Sequence, residues 1–143
     1  MEQYQPLRFN VRVYGICLQD GKLLVNEELI KGRQVIKFPG GGLELGEGTI
    51  DGLRREWKEE LNLDIEVLGH YYTTDFFQQS AFNNTQVISI YYLVKADVSA
   101  ELTNLVADER SYWMPLSELT ETTFTLPIDA VVGKMLMNDF LPS

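Results

Sequence analysis

The sequence predicts an α/β protein, a three-layer α/β/α sandwich, and three observations predict it. Segments of alternating apolar and polar residues recur between turn signals. Two stretches, Thr49 to Leu61 and Pro127 to Phe140, change to a helical period. One segment, Thr85 to Ala96, is apolar on both faces, as expected of a central strand with a helix above it and another below.

Taken in order, Phe9 to Leu18 alternates, with Phe9, Val11, Val13, Gly15 and Cys17 on one face and Arg12, Tyr14, Ile16 and Leu18 on the other. Asp20-Gly21 is a short hairpin signal, and Lys22 to Glu28 returns as the second strand. Val35 to Phe38 is a short strand that runs into a loop, Pro39-Gly40-Gly41-Gly42. The helix Thr49 to Leu61 carries Ile50, Leu53, Trp57 and Leu61 as its apolar stripe, and Asn62 suits a left-handed stop. Ile65 to Gln78 and Thr85 to Ala96 read as two long strands separated by the turn-prone Asn83-Asn84. Arg110 to Met114 is a further short strand. Pro127 fits the first turn of a closing helix whose stripe is Ile128, Val131, Met135, Leu136 and Phe140.

The chain of 143 residues is expected to form one domain over residues 1–143, with no room for an appended DNA-binding module. Hydrophobic residues make up 45% and charged residues 23%, the balance of a globular protein rather than a disordered one. No apolar run reaches the ~20 residues of a membrane helix, and no basic-then-apolar leader opens the chain. Cys17 is the single cysteine, which excludes an intrachain disulfide and a cysteine zinc cluster. A cytoplasmic location is the expectation. The 12 basic and 21 acidic residues give a net charge of −9, so binding to nucleic acid backbone is not expected. A phosphate-bearing small molecule can bind only where local cations cancel that charge; in an acidic site they have to be metal ions.

The informative stretch is Gly41 to Leu63. At ~100° per residue, Glu56, Glu59 and Glu60 share an arc of roughly 100° beside the apolar stripe. Ionised carboxylates spaced i, i+3 and i+4 repel, each pair costing a few tenths of a kcal/mol. Hard divalent cations among the oxygens make the arrangement favourable, because Mg²⁺ prefers carboxylate, carbonyl and water ligands. Arg55 lies four residues before Glu59 and one before Glu56, in reach of either. Gly40, Gly41 and Gly42 permit backbone geometries closed to other residues, with carbonyls for a metal and amides for phosphate oxygens. Glu44 and Glu47 sit where they can brace this loop. Alone, the three acids would read as a solvated helix face; the glycines, Glu47 and Arg55 in register argue otherwise.

This stretch resembles the signature of the Nudix hydrolase family, whose MutT-like members share it. Gly41, Glu47, Arg55-Glu56, Glu59-Glu60 and Leu63 fall at the required offsets, while Trp57 replaces a smaller aliphatic residue and Asn62 replaces a glycine. Neither change touches a metal-binding oxygen. The hairpin before the box and Tyr112-Trp113-Met114-Pro115-Leu116 after it also look like that family. The resemblance implies a mixed β-sheet and a metal-dependent pyrophosphohydrolase acting on a nucleoside diphosphate linked to another moiety. It implies that Glu56, Glu59 and Glu60, with the Gly40 carbonyl, hold Mg²⁺ or Mn²⁺, and that Arg55 orients the acids. Glu59 and Glu109, the latter in the acidic loop Asp108-Glu109-Arg110, both remain candidates for the general base.

Arg12, Tyr14, Gly41 and Phe77 are the candidate substrate contacts, Phe77 as a stacking surface for a base. His70 and Cys17 read as structural. The alternative function is a non-catalytic nucleotide-binding sensor; loss of box acids would favour it, and they are present. An isoprenyl diphosphate isomerase needs a reactive cysteine, for which Cys17 is the only source. ADP-ribose-cleaving relatives often carry a proline shortly after the box, and none occurs between Pro39 and Pro115, which weakens that substrate. Exposed aromatics would suit a homodimer.

Overall fold

The computed structural model describes residues 6–97, 102 and 107–141. The first five residues, read above for a secretory leader, lie outside that range. Strands β1 (Phe9–Gln19), β2 (Lys22–Ile30), β3 (Arg33–Lys37) and β4 (Gly40–Gly42) precede helix α1 (Thr49–Leu61). Strands β5 (Ile65–Thr73), β6 (Gln86–Ala96) and β7 (Glu109–Pro115), a 3₁₀ turn over Leu116–Glu118 and helix α2 (Pro127–Phe140) follow.

Among the described residues the strands form one seven-stranded sheet with the path β3-β2-β1-β6-β5; β4 joins β1 and β7 joins β2. β1 runs parallel to β6 and every other pairing is antiparallel, so the sheet is mixed. The β1–β2 turn uses Asp20 and Gly21 at φ 52° and 74°, the left-handed pair that Asp-Gly predicts. β1 is the hinge of the sheet. Its last residues pair with β2, while Arg12, Val13 and Tyr14 pair with Gly42, Gly41 and Gly40.

Two apolar clusters cover the two faces. On one, Leu53, Trp57 and Leu61 of α1 meet Val13, Cys17, Leu24 and Val94. On the other, Ile128, Val132 and Leu136 of α2 meet Tyr14, Ile16, Leu23, Val25, Phe38 and Tyr91. The alternation of β1 therefore separates as predicted, and the three layers are those expected. Trp57 fits because Gly15 lies opposite: a Cβ there would stand 2.7 Å from the indole. The indole N–H donates to the Pro39 carbonyl at 3.1 Å, fixing the helix to the approach of the glycine segment. Asn62 ends α1 at φ 54°, the left-handed stop its side chain tolerates.

Four expectations need correction. The glycine segment is a short strand, not a loop, because β1 offers it a free edge beside Arg12 to Tyr14. β5 stops at Thr73 rather than Gln78; beyond it the Thr74 N–H donates to the Ser89 carbonyl at 3.0 Å and an isolated bridge joins Gln79 to Gln86. Ile50 is 37% exposed, so the α1 stripe is Leu53, Trp57 and Leu61. In α2 the buried row runs at i, i+4, i+8 through Ile128, Val132 and Leu136, with Asp129 and Gly133 beside it, while Val131 and Phe140 are exposed. Among the described residues no helix is long and apolar enough to cross a membrane.

Candidate active site

The site is organised by the pairing of β4 with β1 and the packing of α1 over both. Gly40 takes φ 151°, and a Cβ on Gly41 would lie 2.6 Å from Glu56 Oε2. The glycine strand thus runs directly beneath the Glu56 carboxylate, a distance that only glycine allows.

Arg55 ties the box together. Its Nε and Nη2 donate to the two Glu47 oxygens at 3.0 and 2.7 Å, a bidentate fork. Nη2 also donates to the Gly42 carbonyl at 3.0 Å, and Nη1 donates to Glu56 Oε1 at 3.2 Å and Glu59 Oε2 at 3.1 Å. Glu47 Oε1 accepts the Glu44 backbone N–H at 2.9 Å. These bonds, the one from Arg55 foremost, hold the Glu47 carboxyl down to about 2. Glu47 braces the loop and stays ionised. The Arg55 guanidinium rises in turn.

Glu60 is treated differently. Its Oε2 is buried with no hydrogen-bond partner. Burial pushes its carboxyl up, Lys37 draws it down, and Glu109 and Glu56 push it further up. Glu109, at the start of β7, is also raised, by burial first and then by Glu28. Glu59, by contrast, has a side chain 58% exposed and bonded to Arg55. Among the described residues no three acidic, histidine or cysteine side chains are already converged on a point that would hold a metal ion; Arg55 occupies oxygens of Glu56 and Glu59. The donor set itself fits a hard divalent cation, being all oxygen and including one buried oxygen that nothing satisfies.

On the α2 face of the sheet lies a cavity of about 170 Å³. Arg12, Tyr14, Glu28, Lys37, Tyr91 and Asp129 contribute to its walls, and Gln78 to Asn83 form its rim. Arg12 Nε donates to the Tyr14 hydroxyl at 2.5 Å, and the Glu56 and Asp129 charges both act on the guanidinium. Tyr91 donates its hydroxyl to Asp129 Oδ1, while Asp129 Oδ2 is buried and partnerless.

Arg55, Glu56, Glu59 and Glu60 therefore stand together on α1, with Gly40 and Gly41 beneath them, and Glu109 joins them electrostatically from β7. Arg12 and Tyr14 do face one cavity. Phe77 is 55% exposed and lies outside its walls; Phe82 of the same loop lines it instead. Cys17 is 2% exposed in the α1-side cluster, away from the cavity, which removes the isomerase reading. His70 bonds Thr73 at 2.7 Å on the surface. Sequence reasoning missed Glu28, Lys37 and Asp129. The available signal was charge inside an apolar run, as in Val35-Ile36-Lys37-Phe38 and Pro127-Ile128-Asp129-Ala130-Val131.

A mixed sheet between two helices, with this glycine strand and these acids, defines a Nudix-type α/β/α protein. The NUDIX domain profile matches residues 6–133, and the chain belongs to the Nudix hydrolase family. Several solved structures share the fold. A NUDIX hydrolase from Nitrosomonas europaea is 22% identical over 88% of each chain, with a TM-score of 0.73. A MutT protein from Methanosarcina mazei Go1 is 16% identical over 99% of this chain and 100% of its own, at 0.75. An ADP-ribose pyrophosphatase from Streptococcus suis 89-1591 is 18% identical over 92% and 93%, at 0.65. No curated protein sequence matches the chain significantly.

Proposed function

We propose that this enzyme is a metal-dependent pyrophosphohydrolase that cleaves the phosphoanhydride bond of a nucleoside diphosphate joined to another group. The observation that carries the reading is Glu60, whose buried oxygen has no partner although Glu56 stands beside it. A carboxylate kept in that state costs folding free energy, and a cation that binds there recovers it. Glu56, Glu59 and Glu60, with the Gly40 carbonyl, would hold Mg²⁺ or Mn²⁺. Such an ion supplies charge neutralisation of the diphosphate and a lowered pKa for the attacking water.

The chain's own residues do the rest. Arg55 keeps Glu56 and Glu59 aligned through Nη1 and ties α1 to the glycine strand through the Gly42 carbonyl. The cavity takes the nucleoside end of the substrate. Arg12, between the charges of Glu56 and Asp129, is suited to bind phosphate where the cavity meets the acids, with Tyr14 holding its Nε. The Gly41 backbone lines the approach. Glu109 is the better-situated proton acceptor, because Glu59 is committed to Arg55 and largely exposed; the two are separated by comparing Glu109→Gln with Glu59→Gln. The net charge of −9 is thus offset locally by Arg12 and Lys37, and would be offset further by the metal ion.

The test is a screen of nucleoside diphosphate derivatives with Mg²⁺ or Mn²⁺, scored for phosphate products. Turnover of at least one compound is expected, falling by about 10²–10⁴-fold or more in Glu60→Gln with folding retained. Binding without products, indifferent to the metal, would instead make the chain a nucleotide sensor.

A further inference from the structure

Lys37 closes β3 just ahead of Phe38 and Pro39, and its side chain is 6% exposed. A buried ammonium is costly unless charge surrounds it. Here Nζ stands 2.7 Å from Glu28 Oε2 on the neighbouring strand β2. Glu28 in turn lies directly across the β2–β7 ladder from Glu109. Like charges in that relation repel, so the pair Glu28–Glu109 needs a cation nearby. Lys37 acts electrostatically on both Glu60 and Glu109, favouring the ionised form of each. The other cation of the site, Arg55, spends its donors on Glu47, Glu56, Glu59 and the Gly42 carbonyl. The acids therefore divide between two cations: Glu47, Glu56 and Glu59 bond to Arg55, while Glu28 pairs with Lys37, whose charge also acts on Glu60 and Glu109.

We propose that Lys37 is a positioning residue: pinned by Glu28, its ammonium is a resident counter-charge. It gathers Glu60 and Glu109 in the metal-free protein and opposes the divalent cation once that binds. The inference rests on the hydrolase reading, and Lys37 itself touches no reacting atom. It has a consequence that mere structural support lacks. Removing the ammonium and removing the carboxylate that pins it shift metal affinity in opposite directions. A unit charge acting on a divalent ion within one partly buried site is worth at least about a ten-fold change in affinity.

The experiment titrates Mn²⁺ alone into the protein at pH 8.5, reading free Mn²⁺ by electron paramagnetic resonance. Lys37→Met is expected to bind Mn²⁺ at least about ten-fold more tightly than the native chain, and Glu28→Gln at least about ten-fold more weakly. Lys37→Arg is expected to stay near native. The metal-free Lys37→Met protein should also melt lower, with the gap closing as Mn²⁺ is added. Unchanged or weaker Mn²⁺ binding in Lys37→Met overturns the inference alone. Should that variant fail to fold, unchanged or tighter binding in Glu28→Gln overturns it. Native Mn²⁺ binding that Glu60→Gln leaves intact overturns both this inference and the hydrolase reading.

Discussion

Asp129 offers a test in which structure and titration can be compared directly. It is the third residue of α2, 2% exposed, with Oδ1 accepting the Tyr91 hydroxyl and Oδ2 partnerless. A helix N-terminus favours an anion, but desolvation wins. Burial raises the carboxyl from 3.8 to about 6 against the pull of Tyr91, Lys37 and Arg12. The folded protein therefore binds more protons than the unfolded chain between those values, and stability falls as pH rises through them. The penalty is about 2 kcal/mol at pH 5 and about 3 kcal/mol at pH 7.5, where it levels off. Asp129→Asn removes the ionisation and keeps the volume. In urea unfolding of the metal-free protein, the stability of Asp129→Asn minus that of the native chain should rise by about 1 kcal/mol from pH 5 to pH 7.5. Titrations of Glu60 and Glu109 are common to both proteins and cancel. A difference that stays flat across that range would refute the argument, because it would mean that the carboxyl is not desolvated in the fold.

Other outcomes follow from particular contacts. Gly41→Ala puts a Cβ 2.6 Å from Glu56 Oε2, so the carboxylate has to move. Hydrolysis should drop by at least about ten-fold with a melting temperature close to native, measured by steady-state kinetics and calorimetry. Arg55→Lys keeps the charge but loses the fork to Glu47 and the reach to Gly42; kcat should fall more than about ten-fold, and near-native kcat would show that charge alone suffices. Gly15→Ala presses on the Trp57 indole at 2.7 Å and should cost about 1–3 kcal/mol in chemical denaturation, with little change in KM. Arg12→Ala should raise KM far more than it lowers kcat if the guanidinium binds phosphate in the ground state.

The fold was legible where a residue's character decides its neighbours. The alternation of Val13 and Cys17 against Tyr14 and Ile16 matches the two faces of β1, because each side chain has one buried destination. Asp20-Gly21 and Asn62 were readable for the same reason: left-handed backbone admits few residues. β4 was not legible, since glycines carry no pattern and only the open edge of β1 makes them a strand. Nor was the buried face of α2. That helix is apolar nearly all round, so the choice of Val132 over Val131 is made by the core around Phe124, which packs on the neighbouring Gly133.

In the site, local spacing revealed Arg55 and the helix acids, but the sequence could not say which carboxylates are already satisfied. The spacing of Glu56, Glu59 and Glu60 treats them alike. In the folded chain Arg55 donates to Glu56 and Glu59, while Glu60 keeps a buried oxygen without a partner, and the charge of Lys37 opposes the effect of burial. The difference comes from β2, β3 and β7, which bring Glu28, Lys37 and Glu109 to the inner side of α1 from positions far apart in sequence. It follows that the three acids should not be equivalent under substitution. Glu59→Gln removes an exposed partner of Arg55 and leaves Glu28, Glu60 and Glu109 intact, whereas Glu60→Gln removes the carboxylate that carries the buried partnerless oxygen. In metal-free urea unfolding Glu60→Gln should be at least as stable as the native chain, because its desolvated carboxyl is gone. Its Mn²⁺ affinity should fall further than that of Glu59→Gln. Equal losses in the two variants would mean that the division between Arg55 and Lys37 has no bearing on how the site binds its ion.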